Sequence, residues 1–220
     1  TGIASTFISA IISIGESNLF LSLVLTMLTC LVLGMGIPTI PNYIITSSLA
    51  GPALLELGVP LLVSHMFVFY FGIMADLTPP VALACFAAAP IAKSSGLKIS
   101  LNAIKLAAAG FVIPFMAVFT PSLMLQDGGW TADAFGYPVE VAYVIFKACV
   151  GIGLTGVGLI GFLFVRAGVL ERMAFLAAGI TLILALPMTD EIGFALGLAL
   201  VGLQVWRLRK ERPRVGDLPV

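Results

Sequence analysis

The sequence predicts an all-α integral membrane protein, and three observations carry that prediction. Of the 220 residues, 60% are apolar and only 10% are charged, against roughly 25% charged in an ordinary soluble domain, which is too little charge to cover a water-exposed surface. Mean hydropathy is +1.14. The apolar residues fall in runs long enough for helices that cross a hydrocarbon core of ~30 Å, for which about 20 residues suffice, and in lipid an open backbone must satisfy itself as a helix. The same figures exclude a disordered chain, a nucleic-acid binder and a disulfide-stapled secreted module. Lysine plus arginine and aspartate plus glutamate each number 11, so net charge points to no partner. Cys30, Cys85 and Cys149 share no metal-ligand spacing and read as small apolar side chains. The chain opens on TGIASTFISA, without Met or a basic leader, and is expected to be a fragment or split gene product.

The charges are unevenly placed. No Lys or Arg precedes Lys93, and seven of the eleven lie from Arg166 onward. The second half contains four expected spans: Ile99–Met124, Val139–Val165, Leu170–Leu186 and Ile192–Trp206. The segments between them alternate. Lys93 and Lys98 come first; then an acidic loop follows with Asp127 and Asp133, anchored by Trp130 and Tyr137. Arg166 and Arg172 flank the next turn, Thr189–Glu191 form an acidic one, and Arg207–Arg214 make a basic tail. By the positive-inside rule the basic segments, and the C-terminus, face the cytoplasm.

The first half is built differently. Leu19–Leu33 is apolar but has only 15 residues, about 22 Å of helix, and stops at GMGIPTIP (Gly34–Pro41). A second apolar stretch ends near Leu57 before GVP. Leu61–Ile91 exceeds one span and is cut by DLTPP (Asp76–Pro80). Glycine and proline clusters break helices, and freed backbone groups at membrane depth are tolerated only when buried in protein or lining a cavity. Two broken apolar segments about 40 residues apart are the sequence pointer to a transporter site built from discontinuous helices. The preferred topology makes about 19–57 a re-entrant hairpin and about 60–92 a broken crossing helix, followed by a span over about 99–125; the alternative exchanges the first two roles. Residues Thr1–Ile14 read as a preceding span or its remnant.

At the first break, glycine permits a tight turn with positive φ, and Pro38–Thr39 is suited to begin the second arm. The N-terminus of that arm offers free N–H groups and partial positive charge to a carboxylate. Carbonyls of Gly34 and Gly36 suit a hard cation such as Na⁺, with hydroxyls of Thr39, Thr46, Ser47 and Ser48 nearby. The competing reading is a ligand-free kink. At the second break, Asp76 is an expensive residue for an apolar segment. It reads as a cation ligand, a protonation site or an N-cap for the helix restarting after Pro79. Thr78 could cap or coordinate, and Pro79–Pro80 set the restart. His65 reads as a hydrogen-bonded interfacial histidine. Lys147 lies mid-span with three readings: snorkelling, pairing with Glu140, or facing the bundle. Phe67–Phe71, Gly193-xxx-Gly197 and Gly151–Gly161 read as packing.

These segments together (GMGIPT, GPALLELGVP, HMFVFYFG, ADLTPPVALACFAAAPIA and FVIPFMAVFTPSLML) resemble the large membrane component of tripartite ATP-independent periplasmic (TRAP) transporters, in the fused form served by a TAXI-type solute-binding protein. The resemblance covers about residues 1–126. Residues 138–210 resemble the extra C-terminal transmembrane helices of some fused permeases, with 211–220 as a cytoplasmic tail. The resemblance implies a bacterial or archaeal cytoplasmic-membrane permease that is a secondary transporter, not an enzyme. It implies Na⁺ as coupling ion with no other cofactor, and an organic anion, typically a carboxylate, delivered by the periplasmic protein. The implied fold is an elevator-type transporter with two inverted repeats, each holding a hairpin and a broken helix. Carried onto this chain, the second-repeat Na⁺ site uses carbonyls near Gly34, Gly36 and Ala75, with Thr78 and Val81; substrate contacts fall at Pro38, Thr39 and Asn42. Ala75 stands where many relatives have glycine. The first repeat and the small membrane component are missing partners, so the chain is expected to be inactive alone. A purely structural helical subunit is the alternative. Enzyme readings lack their motifs: one His, no GxSxG and no HExxH.

Overall fold

The computed structural model describes residues 6, 9, 11–13, 18–126, 133, 136–183 and 187–211. All its regular elements among these residues are helical. Two compact units, Thr1–Val144 and Ile145–Val220, divide the chain. Among the described residues, three stretches are long and apolar enough to cross a bilayer: Gly96–Phe119, Tyr137–Ile160 and Thr189–Lys210.

In the first unit, α1 (Leu19–Leu33) starts where the Asn18 carboxamide oxygen accepts the Leu21 N–H at 3.2 Å, a side-chain cap that satisfies an otherwise orphaned donor. It ends at Gly34, and α2 (Thr39–Glu56) begins immediately after Pro38. Gly36 between them has φ +76°, a conformation that favours glycine. α3 (Leu61–Met74) buries Val63, Ser64, Phe67, Val68, Phe71 and Gly72, a three-to-four-residue rhythm that is one helix face. It lies at the centre and packs against α1, α2 and a later helix, α6 (Ala108–Phe119). Phe67 and Phe71 meet each other at 4.8 Å between ring centroids, and Phe115 of α6 at 5.3 and 5.7 Å, all in edge-to-face geometry. Within lipid there is little hydrophobic drive between helices, so such close contacts supply the adhesion. The aromatic run is core, as expected.

The chain breaks again over residues 75–82, restarts as α4 (Leu83–Ala92), and turns into α5 (Gly96–Leu106), whose first turn is capped by Ser95. The expected single span Ile99–Met124 is α5 and α6, separated by a hitch at Ala107, followed by a 3₁₀ turn, Pro121–Met124. Trp130 of the expected acidic loop lies outside the described residues.

The helix α7 (Tyr137–Ile160) enters the second unit, which also holds α8 (Val169–Ile183) and α9 (Pro187–Glu211). α7 stops five residues before the expected Val165. Gly161 takes φ +79°, and the Arg172 guanidinium donates to the carbonyls of Gly158 and Leu159 at 2.9 and 2.8 Å, a cationic cap on the negative helix end. α9 starts earlier than the expected Ile192, absorbing Thr189, Asp190 and Glu191 into its first turns, where carboxylates suit the helix dipole. Gly197 lies so near Leu154 that an added Cβ would stand 2.8 Å from its Cδ1, and one on Gly151 would stand 3.4 Å from the Gly179 carbonyl. Gly151, Gly158, Gly193 and Gly197 therefore serve close packing, whereas a Cβ on Gly153 or Gly156 would meet nothing within 4 Å.

Lys147 pairs with neither Glu140 nor the interface by snorkelling: its Nζ lies 2.6 Å from Asp190 Oδ1 of α9, the two side chains 6% and 16% exposed. Helices α8 and α9 are also tied by Arg207 and Glu171 at 2.8 Å, and the buried Gln204 carboxamide oxygen accepts the Val165 N–H at 3.2 Å. Removing one member of a buried ion pair strands the other charge. Lys147→Met should therefore lower stability by about 3 kcal/mol, the low end for buried pairs because Asp190 keeps some exposure. Joint replacement by Met and Leu should recover most of that loss. Thermal unfolding of the purified protein in detergent checks both.

Candidate functional site

The two breaks meet. Gly34, at the end of α1, is buried against the last turn of α3: a Cβ there would stand 2.7 Å from the Gly72 carbonyl oxygen and 2.9 Å from Ala75 Cβ. Only a residue without a side chain lets the backbones come this close. One turn into α2, the Asn42 side chain is 3% exposed, and its Nδ2 donates to the Gly72 carbonyl at 2.7 Å. Gly36 sits at the exposed tip, with its Cβ position 3.9 Å from Val81 Cγ1. The tip thus approaches Gly72 just before the second break and Ala75 and Val81 within it. From α5, buried Ser100 donates its hydroxyl to the Leu77 carbonyl.

The backbone of the second break is held by a chain of turns. Asp76, Leu77 and Thr78 N–H groups bond to the carbonyls of Ile73, Met74 and Ala75 at 3.1, 3.1 and 3.2 Å, and Ala82 N–H to Thr78 at 3.2 Å. The Pro79–Pro80 bond is cis and Ala82 has φ +41°. The helix restart carries no side-chain cap: Ala82 occupies the cap position of α4. Asp76 is therefore not the N-cap: the successive turns over 75–82 place the restart at Leu83, seven residues further on. The Asp76 carboxylate is half-exposed and has no hydrogen bond or ion pair among the described residues. The Thr78 hydroxyl donates to the Met74 carbonyl at 2.7 Å, leaving its oxygen lone pairs free to accept or coordinate. The carbonyls of Gly34 and Ala75 each take one turn hydrogen bond and keep a second lone pair.

Pro38 and Thr39 stand exposed at the start of α2. The N–H groups of Thr39 and Ile40 fall in the first helical turn, where no intrahelical acceptor exists, and Pro41 has no N–H. The hydroxyls of Thr46, Ser47 and Ser48 turn back to the carbonyls of Asn42, Ile44 and Ile45 at 2.8, 3.3 and 2.9 Å, so they bond along α2 rather than toward the tip. His65 accepts or donates a 2.8 Å bond with the Tyr43 hydroxyl, further along the α2–α3 contact. Two residues of the junction carry no sequence signal of their own. Gly72 closes an aromatic run like any packing glycine, and Ser100 is one serine in a mixed helix.

The junction sets two opposite helix ends side by side. The C-terminal end of α3 directs carbonyls and partial negative charge to the break, while the N-terminal end of α2 directs N–H groups and partial positive charge outward beside it. Neutral oxygens at the break, with one carboxylate nearby, fit a hard monovalent cation. The free N–H turn fits an anion. No group of three or more His, Cys, Asp or Glu able to hold a metal occurs among the described residues.

Residues 1–128 match the family model described as Tripartite ATP-independent periplasmic transporter, DctM component. No curated protein and no solved structure matches the chain.

The close contact makes a sharp expectation. Gly34→Ala should push the tip off the Gly72 carbonyl, costing about 1–3 kcal/mol as an overpacked site. Gly36→Ala, whose Cβ would make only an ordinary contact with Val81 at 3.9 Å, should cost about 1–2 kcal/mol through backbone strain. Thermal unfolding of both variants, with proteolysis near the tip, separates the two effects, since only Gly34→Ala should expose the junction.

Proposed function

The chain belongs to the DctM family, the membrane components of tripartite ATP-independent periplasmic transporters, and from that premise we propose that it forms the second-repeat part of a Na⁺-coupled permease importing organic anions, chiefly carboxylates. Members of this family are secondary-transporter permeases that work with a periplasmic binding protein and a small membrane component. The binding protein here is of the TAXI type, and the first repeat of the permease is supplied outside these residues. The permease lies in the inner membrane with its C-terminus in the cytoplasm.

The observation that carries the reading is the meeting of the two breaks at Gly34, Gly72 and Ala75. In this reading Na⁺ binds oxygens of Gly34, Gly36, Ala75, Thr78 and Val81. The anion faces the first turn of α2 at Pro38 and Thr39, with Asn42 beneath them. Asp76 adjusts the local charge as ligand or proton acceptor. A cation held at the α3 end and an anion at the α2 end lower each other's free energy, which is what symport requires of adjacent sites.

The test is uptake by the permease that contains this chain, reconstituted with its binding protein and small component. Uptake should require an inward Na⁺ gradient, and Thr78→Ala should raise the half-saturating Na⁺ concentration about tenfold, equal to loss of ~1.4 kcal/mol. Uptake that is indifferent to Na⁺ removes the coupling proposal.

A further inference from the structure

Asn42 is buried, yet its amide is only half used. Its Nδ2 donates to the Gly72 carbonyl across 30 positions of sequence, while its Oδ1 is buried without a hydrogen-bond partner among the described residues. The amide is wedged between two glycines. A Cβ on Gly34 would stand 2.8 Å from Nδ2, and one on Gly72 would stand 3.1 Å from Oδ1 and 3.2 Å from Nδ2. Among the described residues, no other hydrogen bond joins α2 to the break or to the end of α3 that precedes it. Closing the tip on the break therefore gains one good bond and leaves one acceptor dry, whereas opening hydrates both ends of the amide. Such a balance favours closure only weakly, which suits a contact that must be made and released.

We propose that Asn42 is a positioning residue that latches the Gly34–Pro38 tip onto the 75–82 break, so that its amide controls access to the oxygens there. The role rests on the transport reading for its purpose, but the latch itself is a property of the fold. It differs from direct contact with substrate, because the side chain points into the junction and is spent on Gly72. The latch is a switchable bond: breaking it frees the Gly72 carbonyl and opens further the half-exposed Val81, whose Cγ1 lies 3.9 Å from the Cβ position of Gly36.

The experiment uses the full chain in lipid nanodiscs, with Cys30, Cys85 and Cys149 replaced by alanine and a reporter thiol introduced by Val81→Cys. The rate of maleimide labelling reads how often the tip lifts. Asn42→Ala should speed labelling at least fivefold over the Asn42 parent. Asn42→Asp keeps the size and shape, and its ionised carboxylate cannot donate to Gly72, so it should also label faster at pH 8. On acidification the protonated carboxyl regains a donor, and labelling of Asn42→Asp relative to the parent at the same pH should fall back toward one. A side chain that merely fills space would leave Asn42→Asp equal to the parent at every pH, and that result overturns the latch, as does unchanged labelling in Asn42→Ala. Should Asn42→Ala fail to fold, the isosteric Asn42→Asp carries the test. Faster labelling with no effect of Na⁺ on labelling supports the latch and removes the cation reading instead.

Discussion

A helix interrupted inside an apolar environment frees backbone donors and acceptors that must be satisfied by protein, and the organisation of residues 18–126 follows from that constraint. The α3–α4 interruption is closed from three sides. Its own turns consume the amides of Asp76, Leu77, Thr78 and Ala82. α5 contributes Ser100, whose hydroxyl meets the Leu77 carbonyl. The first break contributes Asn42, which meets Gly72. Each of these groups is local or on a neighbouring helix, so the break is affordable only because α2 and α5 lie against it. The central position of α3, gripped by the Phe67–Phe71–Phe115 cluster, holds the carbonyl end of that helix steady while the residues beyond it turn.

The second unit answers the same demand by different means. There the helices run unbroken and the polar groups are side chains: Lys147 with Asp190, Arg207 with Glu171, Gln204 with the Val165 amide, and Arg172 on the last carbonyls of α7. Every one joins two segments distant in sequence, so these contacts select one helix arrangement rather than adding much net stability. Arg172 illustrates the economy of the design. It caps α7 from α8, and the same contact shortens the helix relative to its apolar run.

What was legible in the sequence was whatever depends on local chemistry. The breaks at Gly34–Pro41 and Asp76–Pro80 announce themselves because glycine and proline act on their own backbone, and the helical class follows from composition. What was not legible depends on partners far along the chain. Nothing near Asn42 identifies Gly72 as its acceptor, and nothing near Lys147 favours Asp190, 43 positions away, over Glu140 on its own helix. The Asp76 cap failed for a related reason. An aspartate three residues before Pro-Pro is a sound local cap signal, but the successive turns and the left-handed Ala82 delay the restart to Leu83. The hydroxyls of Thr46, Ser47 and Ser48 looked available by proximity, whereas helical geometry returns them to carbonyls three and four residues back.

The charge distribution acquires a physical meaning once the junction is known. From Leu57 to Gln126 the chain carries a single carboxylate, Asp76, and no Lys or Arg occurs before Lys93. A fixed cation near the break would compete with a mobile one for the same oxygens, and in a poorly screened interior that competition is severe. A permanent salt bridge at Asp76 would have the same effect by neutralising the only charge there. A junction built from neutral oxygens and helix ends keeps its net charge small, which on the proposed reading would let a cation and an anion each improve binding of the other without being held irreversibly. Arg172 and Arg207 satisfy carbonyls and a carboxylate of their own unit, and the lysines of the first unit begin only at Lys93, past the break.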